Sequence, residues 1–177
     1  GGGFIGRYLV RNLTKKNFRC FIPTRNTFQK GHLKTQAPPG SIELINWNSN
    51  NFGELKESIE NSDVVINLIG ILFEKRRQKF NHIHAGIPEA VAKICAKSGV
   101  KKFIHVSAIG ANENSKSLYQ RSKFQGEKNA LNNFKNTVII RPSVVCGTED
   151  NFTNLFSKLS LLPVIPVVGI NYKFQPI

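Results

Sequence analysis

Tyr119 and Lys123 lie four residues apart in Tyr119-Gln120-Arg121-Ser122-Lys123, a spacing that sets a phenol and an ammonium on one face of a helix. Such a pair can move protons, because the ammonium lowers the phenol pKa and the phenol then serves as general acid or base. The spacing alone is common in a chain with 3 tyrosines and 17 lysines, so its place among the strands decides its meaning. At the other end of the sequence Gly3-Phe4-Ile5-Gly6 opens a helix. A glycine turn there lets backbone amides approach a diphosphate, and the helix N-terminus faces the same anion. A third candidate is Arg25, which stands roughly 20 residues beyond the glycines, where a dinucleotide site selects between a ribose hydroxyl and a 2′-phosphate.

The elements that must position these groups follow from apolar periodicity. From Phe4 through Lys16 the residues Ile5, Leu9, Val10 and Leu13 recur at helical spacing, and Phe18 to Pro23 then reads as a short buried strand. Ile42 to Ile45 is a second strand, Phe52 to Glu60 a short amphipathic helix, and Val64 to Ile69 an apolar run suited to a parallel strand buried on both faces. Ile83 to Ser98 repeats the helical pattern and is stopped by Gly99. A strand at Phe103 to Val106, a helix around Ser117 to Leu131 and a strand at Val138 to Ile140 complete the series. Repeated β-α-β with short connections means α/β architecture with a doubly wound parallel sheet, the Rossmann arrangement. The glycine turn and the Tyr/Lys helix then both belong to the edge where such sheets bind dinucleotides. In that arrangement Lys123 holds the nicotinamide ribose.

Cofactor choice follows from charge. An NAD-selective site places Asp or Glu after the second strand to bond the ribose hydroxyls, but no acidic residue precedes Glu43. Thr24-Arg25 stands there instead, followed by Lys30 and Lys34. An arginine can stack on adenine and pair with a 2′-phosphate, so NADP(H) is expected to be preferred over NAD(H).

Composition narrows the alternatives. The chain has 177 residues, 40% hydrophobic and 20% charged, which suits one globular domain covering 1–177. No apolar run reaches bilayer length. The formal charge of +14 invites anionic partners. Its basic clusters Lys15-Lys16, Lys75-Arg76-Arg77 and Lys101-Lys102 are short and scattered, however, and read as solvated faces. No motif supports specific nucleic-acid binding. Cys20, Cys95 and Cys146 show no metal-ligand spacing and read as free thiols in a reducing compartment. His82 and His84 would point to different faces of a regular helix, a poor geometry for one metal, so surface or capping roles are expected and no metal site. His105 lies in a buried strand and reads as a core histidine. Trp47 packs by default, with adenine contact as the alternative. Leu161 to Ile170 reads as a Pro-kinked apolar connection. Gly1-Gly2-Gly3 is turn chemistry with nothing leading into it, and the sequence ends on Phe174-Gln175-Pro176-Ile177. The chain is therefore expected to be an internal piece of a longer protein, lacking the first, central strand of its sheet and a C-terminal lobe.

Taken together, Gly3-Phe4-Ile5-Gly6, Asn67-Leu68-Ile69-Gly70, Phe103-Ile104-His105-Val106-Ser107, Tyr119-x-x-x-Lys123 and Arg141-Pro142-Ser143 resemble an extended or atypical short-chain dehydrogenase/reductase. Within that superfamily the sequence is most similar to the NAD(P)H-binding accessory subunits of respiratory complex I and their bacterial relatives. The resemblance rests also on Val65-Ile66-Asn67-Leu68-Ile69-Gly70, Gly126-Glu127-Lys128 and Phe174-Gln175-Pro176, and covers essentially the whole chain. It implies that Gly3, Phe4, Ile5 and Gly6 hold the diphosphate and Arg25 the adenosine phosphate. Asn48 stands where relatives carry Asp near the adenine. Leu68, Ile69 and Gly70 would line the cofactor, Tyr119 and Lys123 would hold the nicotinamide ribose, and Pro142 and Ser143 would lie beside the ring.

The departures bear on catalysis. Active relatives carry a Ser or Thr that bonds the substrate carbonyl at or just past the fifth strand; here the best-aligned position is Ala108, with Ser107 before it as the catalytic candidate beside Tyr119 and Lys123. The segment from Ser107 to Tyr119 is also short. Losing an oxyanion donor argues for binding without fast turnover. Two functions follow as expectations: an accessory dinucleotide-binding protein docked on complex I or another membrane-associated assembly, or a catalytic epimerase, dehydratase or reductase acting on a sugar nucleotide or other carbonyl compound. Binding of nucleic acid or an anionic membrane through net charge is the minor third. The matching location is cytoplasmic or peripheral to the inner membrane, on the matrix side in a mitochondrion.

Overall fold

Among the described residues, five strands in two parallel groups set up the edge on which the candidate residues stand. A computed structural model of the chain describes residues 1–49, 51–76, 78–150 and 152–161. The expected connection at Leu161 to Ile170 lies almost wholly outside them, as does the closing Phe174-Gln175-Pro176. β1 (Cys20–Thr24) pairs in parallel with β2 (Ile42–Asn46), Cys20 opposite Ile42. β4 (Lys102–Val106) lies between β3 (Val64–Asn67) and β5 (Thr137–Ile140), both parallel to it, with Ile104 opposite Ile66 and Val138. Helices alternate with these strands: α1 (Phe4–Lys15), α2 (Gly53–Glu60), α3 (Ile87–Ala96), α4 (Leu118–Asn133) and α5 (Phe152–Leu159). This is the doubly wound α/β Rossmann arrangement.

Two apolar cores hold the halves. Val10 of α1, Cys20 and Ile22 of β1, Ile42 of β2 and Leu33 of a short 3-10 helix (Gly31–Gln36) form one. The other gathers Leu55 and Ile59 from α2, Ile87, Val91 and Cys95 from α3, Phe103 from β4 and Ala130 from α4. Burying one large aliphatic or aromatic side chain of this kind contributes about 1.5–3 kcal/mol. Trp47 packs in the second core, its indole N–H donating to the Asn51 carbonyl at 2.7 Å. Cys95 is fully buried, and burial pushes its thiol up to about 11.

Between the facing edges of β1 and β3 runs a cleft of about 130 Å³ lined by Phe21, Pro23, Val65, Asn67, Ile87 and Val91, with Gly1 at its margin. β3 is accordingly less covered than its apolar run suggests: Val64 is 45% exposed. The strand also ends at Asn67 rather than Ile69, because the Asn67 side-chain oxygen accepts the Ile69 N–H at 3.0 Å and turns the chain.

A second departure lies before α3. The helical pattern expected from Ile83 begins instead with a π-helical turn, Asn81–Gly86, whose wider i→i+5 turn shifts the face that each residue presents. α1, by contrast, matches its pattern closely. It opens on an extended Gly3 that offers no side-chain cap, and it stops at Asn17, which adopts a left-handed φ of 62° while Phe18 N–H returns to the Leu13 carbonyl.

Candidate functional site

The amides of the first turn of α1 have no capping side chain and so retain donor capacity at the positive end of the helix dipole. The turn that leads into them is closed on itself. A Cβ at Gly6 would lie 2.0 Å from the Gly1 carbonyl oxygen, so this contact exists only because position 6 is glycine. Gly1 thus belongs to the turn, and the spelling Gly1-x-Gly3-x-x-Gly6 could have shown it. Phe4 is half-buried, packs edge-on against Tyr8 and lies under Gly147, where a Cβ would stand 2.9 Å from its ring. Ile5 is 39% exposed. Replacing Gly6 by Ala is expected to displace the turn and weaken dinucleotide binding at least about tenfold, read by titrating the full-length protein with reduced nucleotides. Unchanged affinity would contradict a diphosphate at this turn.

Across the C-terminal ends of β3, β4 and β5 the remaining candidates converge. Lys123, 4% exposed, directs its ammonium at the Val106 carbonyl (3.4 Å) and lies beside Gly70, whose Cβ, were there one, would be 3.1 Å from Nζ. Burial, set against nearby Glu127, lowers its pKa to about 8. The ammonium lies 5.9 Å from the Tyr119 ring centre. Burial raises the Tyr119 phenol pKa, against the expectation that the lysine lowers it. Leu68 and Ile69 share the β1/β3 cleft with Gly1, and Gly70, next in the chain, lies against Lys123, so this segment links the glycine turn to the Tyr/Lys helix. Ser107 is buried, gives its N–H to the Ile140 carbonyl at 2.8 Å and leaves its hydroxyl without a partner. Pro142 is tied to the same spot by its carbonyl, which accepts the Ile109 N–H at 2.9 Å; Ser143 follows it, half-buried. The Arg141 guanidinium grips buried Glu127 through two hydrogen bonds of 2.8 and 2.5 Å, fixing Pro142 relative to α4.

Arg25 and Asn48 stand apart from this cluster. Both are exposed, just beyond the ends of β1 and β2, and the Arg25 guanidinium makes no ion pair among the described residues.

His84 overturns its expected surface or capping role. The π turn carries it inward, where it is fully buried. The Ile71 N–H donates to its Nε2 at 3.0 Å, which puts the proton on Nδ1; that N–H donates to Ser122 Oγ (2.9 Å), and Ser122 donates to the Tyr119 carbonyl (2.7 Å). Its ring stacks on Phe80 and meets Tyr119 edge-on. A buried histidine therefore joins the chain after Gly70 to the helix turn between Tyr119 and Lys123. Sequence reading missed it because its spacing fits no regular helix. His105 is a core histidine as expected: Asn67 donates to its Nδ1 at 3.1 Å, leaving a buried Nε2–H unpartnered. Burial lowers both imidazoles to about 4, assisted by the Lys123 charge. Among the described residues no group of three or more His, Cys, Asp or Glu could hold a metal, and no helix is long and apolar enough to cross a membrane.

Known proteins resemble the chain in sequence and in fold. The profile of the NAD dependent epimerase/dehydratase family matches residues 1–161. NADH dehydrogenase [ubiquinone] 1 alpha subcomplex subunit 9, mitochondrial, of Mus musculus is 35% identical over 172 residues, covering 97% of this chain and 46% of that protein. The NADH-ubiquinone oxidoreductase 40 kDa subunit, mitochondrial, of Neurospora crassa is 33% identical over 175 residues, covering 99% and 46%. The chain thus spans about half the length of these relatives. UDP-glucuronic acid 4-epimerase from Bacillus cereus, solved in complex with NAD, superposes with a TM-score of 0.71 at 21% identity over 89% of this chain and 59% of the other, a likeness of fold.

Proposed function

As the chain belongs to the NAD dependent epimerase/dehydratase family, we propose that it is the dinucleotide-binding part of a complex-I-type accessory protein, holding NAD(P)(H) along the C-terminal edge of its sheet. The observation that supports this reading is the segment Leu68-Ile69-Gly70, which shares a cleft with Gly1 at one end and lies against the Lys123 ammonium, beside Tyr119, at the other. The residues fit the cofactor: free helix amides suit a diphosphate, Lys123 and Tyr119 suit ribose hydroxyls, and Pro142 and Ser143 suit the face of a flat ring. Bound there, the nicotinamide would supply a hydride donor or acceptor. Arg25, exposed and without an ion pair among the described residues, supports NADP(H) over NAD(H). Asn48 would lie by the adenine.

Several finer points belong to the same proposal. The β1/β3 cleft, lined largely by apolar side chains of the two strands, suits a further strand leading into Gly1, so residues 1–177 are read as part of a larger Rossmann unit with a following lobe. Relatives named as mitochondrial subunits of NADH dehydrogenase [ubiquinone] and NADH-ubiquinone oxidoreductase support docking on respiratory complex I, peripheral to the inner membrane on the matrix side, with a cytoplasmic location in a bacterium.

Ala108 supports binding without fast turnover, because a methyl group cannot stabilise an oxyanion. The second reading, catalysis on a sugar nucleotide or other carbonyl compound with Ser107 as donor and Tyr119 as acid or base, is favoured by one observation: the buried Ser107 hydroxyl has no partner among the described residues. Purifying the full-length protein without added nucleotide and identifying what accompanies it tests the first reading. Lys123→Met is expected to weaken nucleotide binding about tenfold or more and Tyr119→Phe by less. Turnover of a carbonyl and sugar-nucleotide panel that disappears in Tyr119→Phe would replace the accessory reading with the catalytic one.

A further inference from the structure

Distance along the sequence from the glycines points to Arg25, with Lys30 and Lys34 following it, and of these the structure brings Lys30 to the turn. The stem of Lys30 lies directly on Gly2: a Cβ at that position would be 2.9 Å from Lys30 Cδ and 3.0 Å from Cε. Lys30 is half-buried where Arg25 is exposed. It is held there by the packing of its own loop. The Leu33 N–H donates to the Lys30 carbonyl at 3.0 Å, and Leu33, 1% exposed, is anchored among Val10, Ile22 and Ile42. On the other side the Gly31 N–H returns to the Phe28 carbonyl, and the Gln29 N–H reaches the Asn26 side chain at 3.0 Å. The ammonium makes no ion pair among the described residues, and the nearest acidic residue in sequence, Glu43, is occupied by Arg19 at 2.8 Å. A fixed cation without a counter-ion beside a phosphate-binding turn is an anion site in waiting.

We propose that Lys30 is the residue that distinguishes NADP(H) from NAD(H), pairing with the phosphate on the adenosine ribose, while Arg25 contributes a weaker, solvent-screened attraction. This rests on the reading that a dinucleotide lies on the glycine turn. A lysine ammonium is a compact point charge whose three donors suit phosphate oxygens; facing the hydroxyl of NAD(H) it gains no such partner, and the difference becomes selectivity. Absence of a side chain at Gly2 lets the lysine stem cross the backbone there.

The test is fluorescence titration of full-length wild type, Lys30→Gln and Arg25→Gln with NADPH and NADH, with 2′,5′-ADP as a competing probe of the adenosine end. Lys30→Gln is expected to weaken NADPH and 2′,5′-ADP roughly tenfold to a hundredfold and NADH less than about twofold, with Arg25→Gln showing a smaller loss. Equal loss for NADPH and NADH would assign Lys30 to the shared diphosphate and overturn the proposal. So would an unchanged NADPH/NADH ratio in Lys30→Gln, above all if Arg25→Gln collapses it, and that result would leave dinucleotide binding standing. Wild-type protein that binds neither nucleotide would remove both readings.

Discussion

Acidification from pH 6.5 to pH 4 is expected to lower the unfolding free energy by about 3 kcal/mol for each of His84 and His105. Both rings are fully buried, and burial holds each near 4 against an ordinary value of 6.5. At neutral pH both are uncharged in the folded chain and mostly so in the unfolded one. As pH falls through 6.5 the unfolded chain takes up protons that the folded chain refuses, so stability declines until about pH 4 and then levels for these groups. The charges facing them act in opposite senses: the Lys123 ammonium disfavours protonation of both, and the Glu127 carboxylate favours it at His105. Against total stabilities on the order of 5–15 kcal/mol, mild acid should bring the domain close to unfolding. Urea melts at pH 7, 5.5 and 4 give the slope. His84→Gln, which keeps amide partners for Ile71 and Ser122, should remove about half of it, and an undiminished slope in His84→Gln/His105→Gln would place the acid sensitivity elsewhere.

Gly126→Ala should cost about 3 kcal/mol or more, at the upper end of overpacking penalties. A methyl group there would stand 1.8 Å from the His84 carbonyl oxygen and 3.0 Å from its carbon. Both obstacles are backbone, so no rotamer relieves the clash and α4 must move off the π turn. That movement would also pull Ser122 from His84 and loosen Tyr119 from its aromatic neighbours. Tm is expected to drop by roughly 6–12 °C, with weaker nucleotide binding in whatever remains folded. A Tm within about 2 °C of wild type would mean that the two helices are not in contact at Gly126.

Much of this arrangement was legible because simple periodicities carry it. Ile5, Leu9, Val10 and Leu13 mark one helix face, the Val/Ile runs mark parallel strands, and the glycine turn and the Tyr119/Lys123 pair lie at fixed offsets from them. What stayed hidden depends on contacts between distant segments. His84 was read on a regular helix, whereas the π turn rotates it into the interior. Lys30 is far from Gly2 in sequence, and only the anchoring of Leu33 brings its stem to the turn. The direction of the Tyr119 shift depends on burial beside Phe80 and His84, which spacing cannot report. The end of β3 at Asn67 also escaped the pattern, because the apolar run continues to Ile69 while a side-chain hydrogen bond turns the backbone.

The wide turn at Asn81–Gly86 makes this stretch indifferent to some kinds of genetic change and intolerant of another. Exchanging exposed letters such as Asn81 leaves the path of the backbone intact. Removing a single codon would let the coil wind regularly, rotate everything before it by roughly 100° and carry Phe80 away from Tyr119. In this segment a missing residue should therefore be far more damaging than a wrong one, and descendants that keep the site should keep its length.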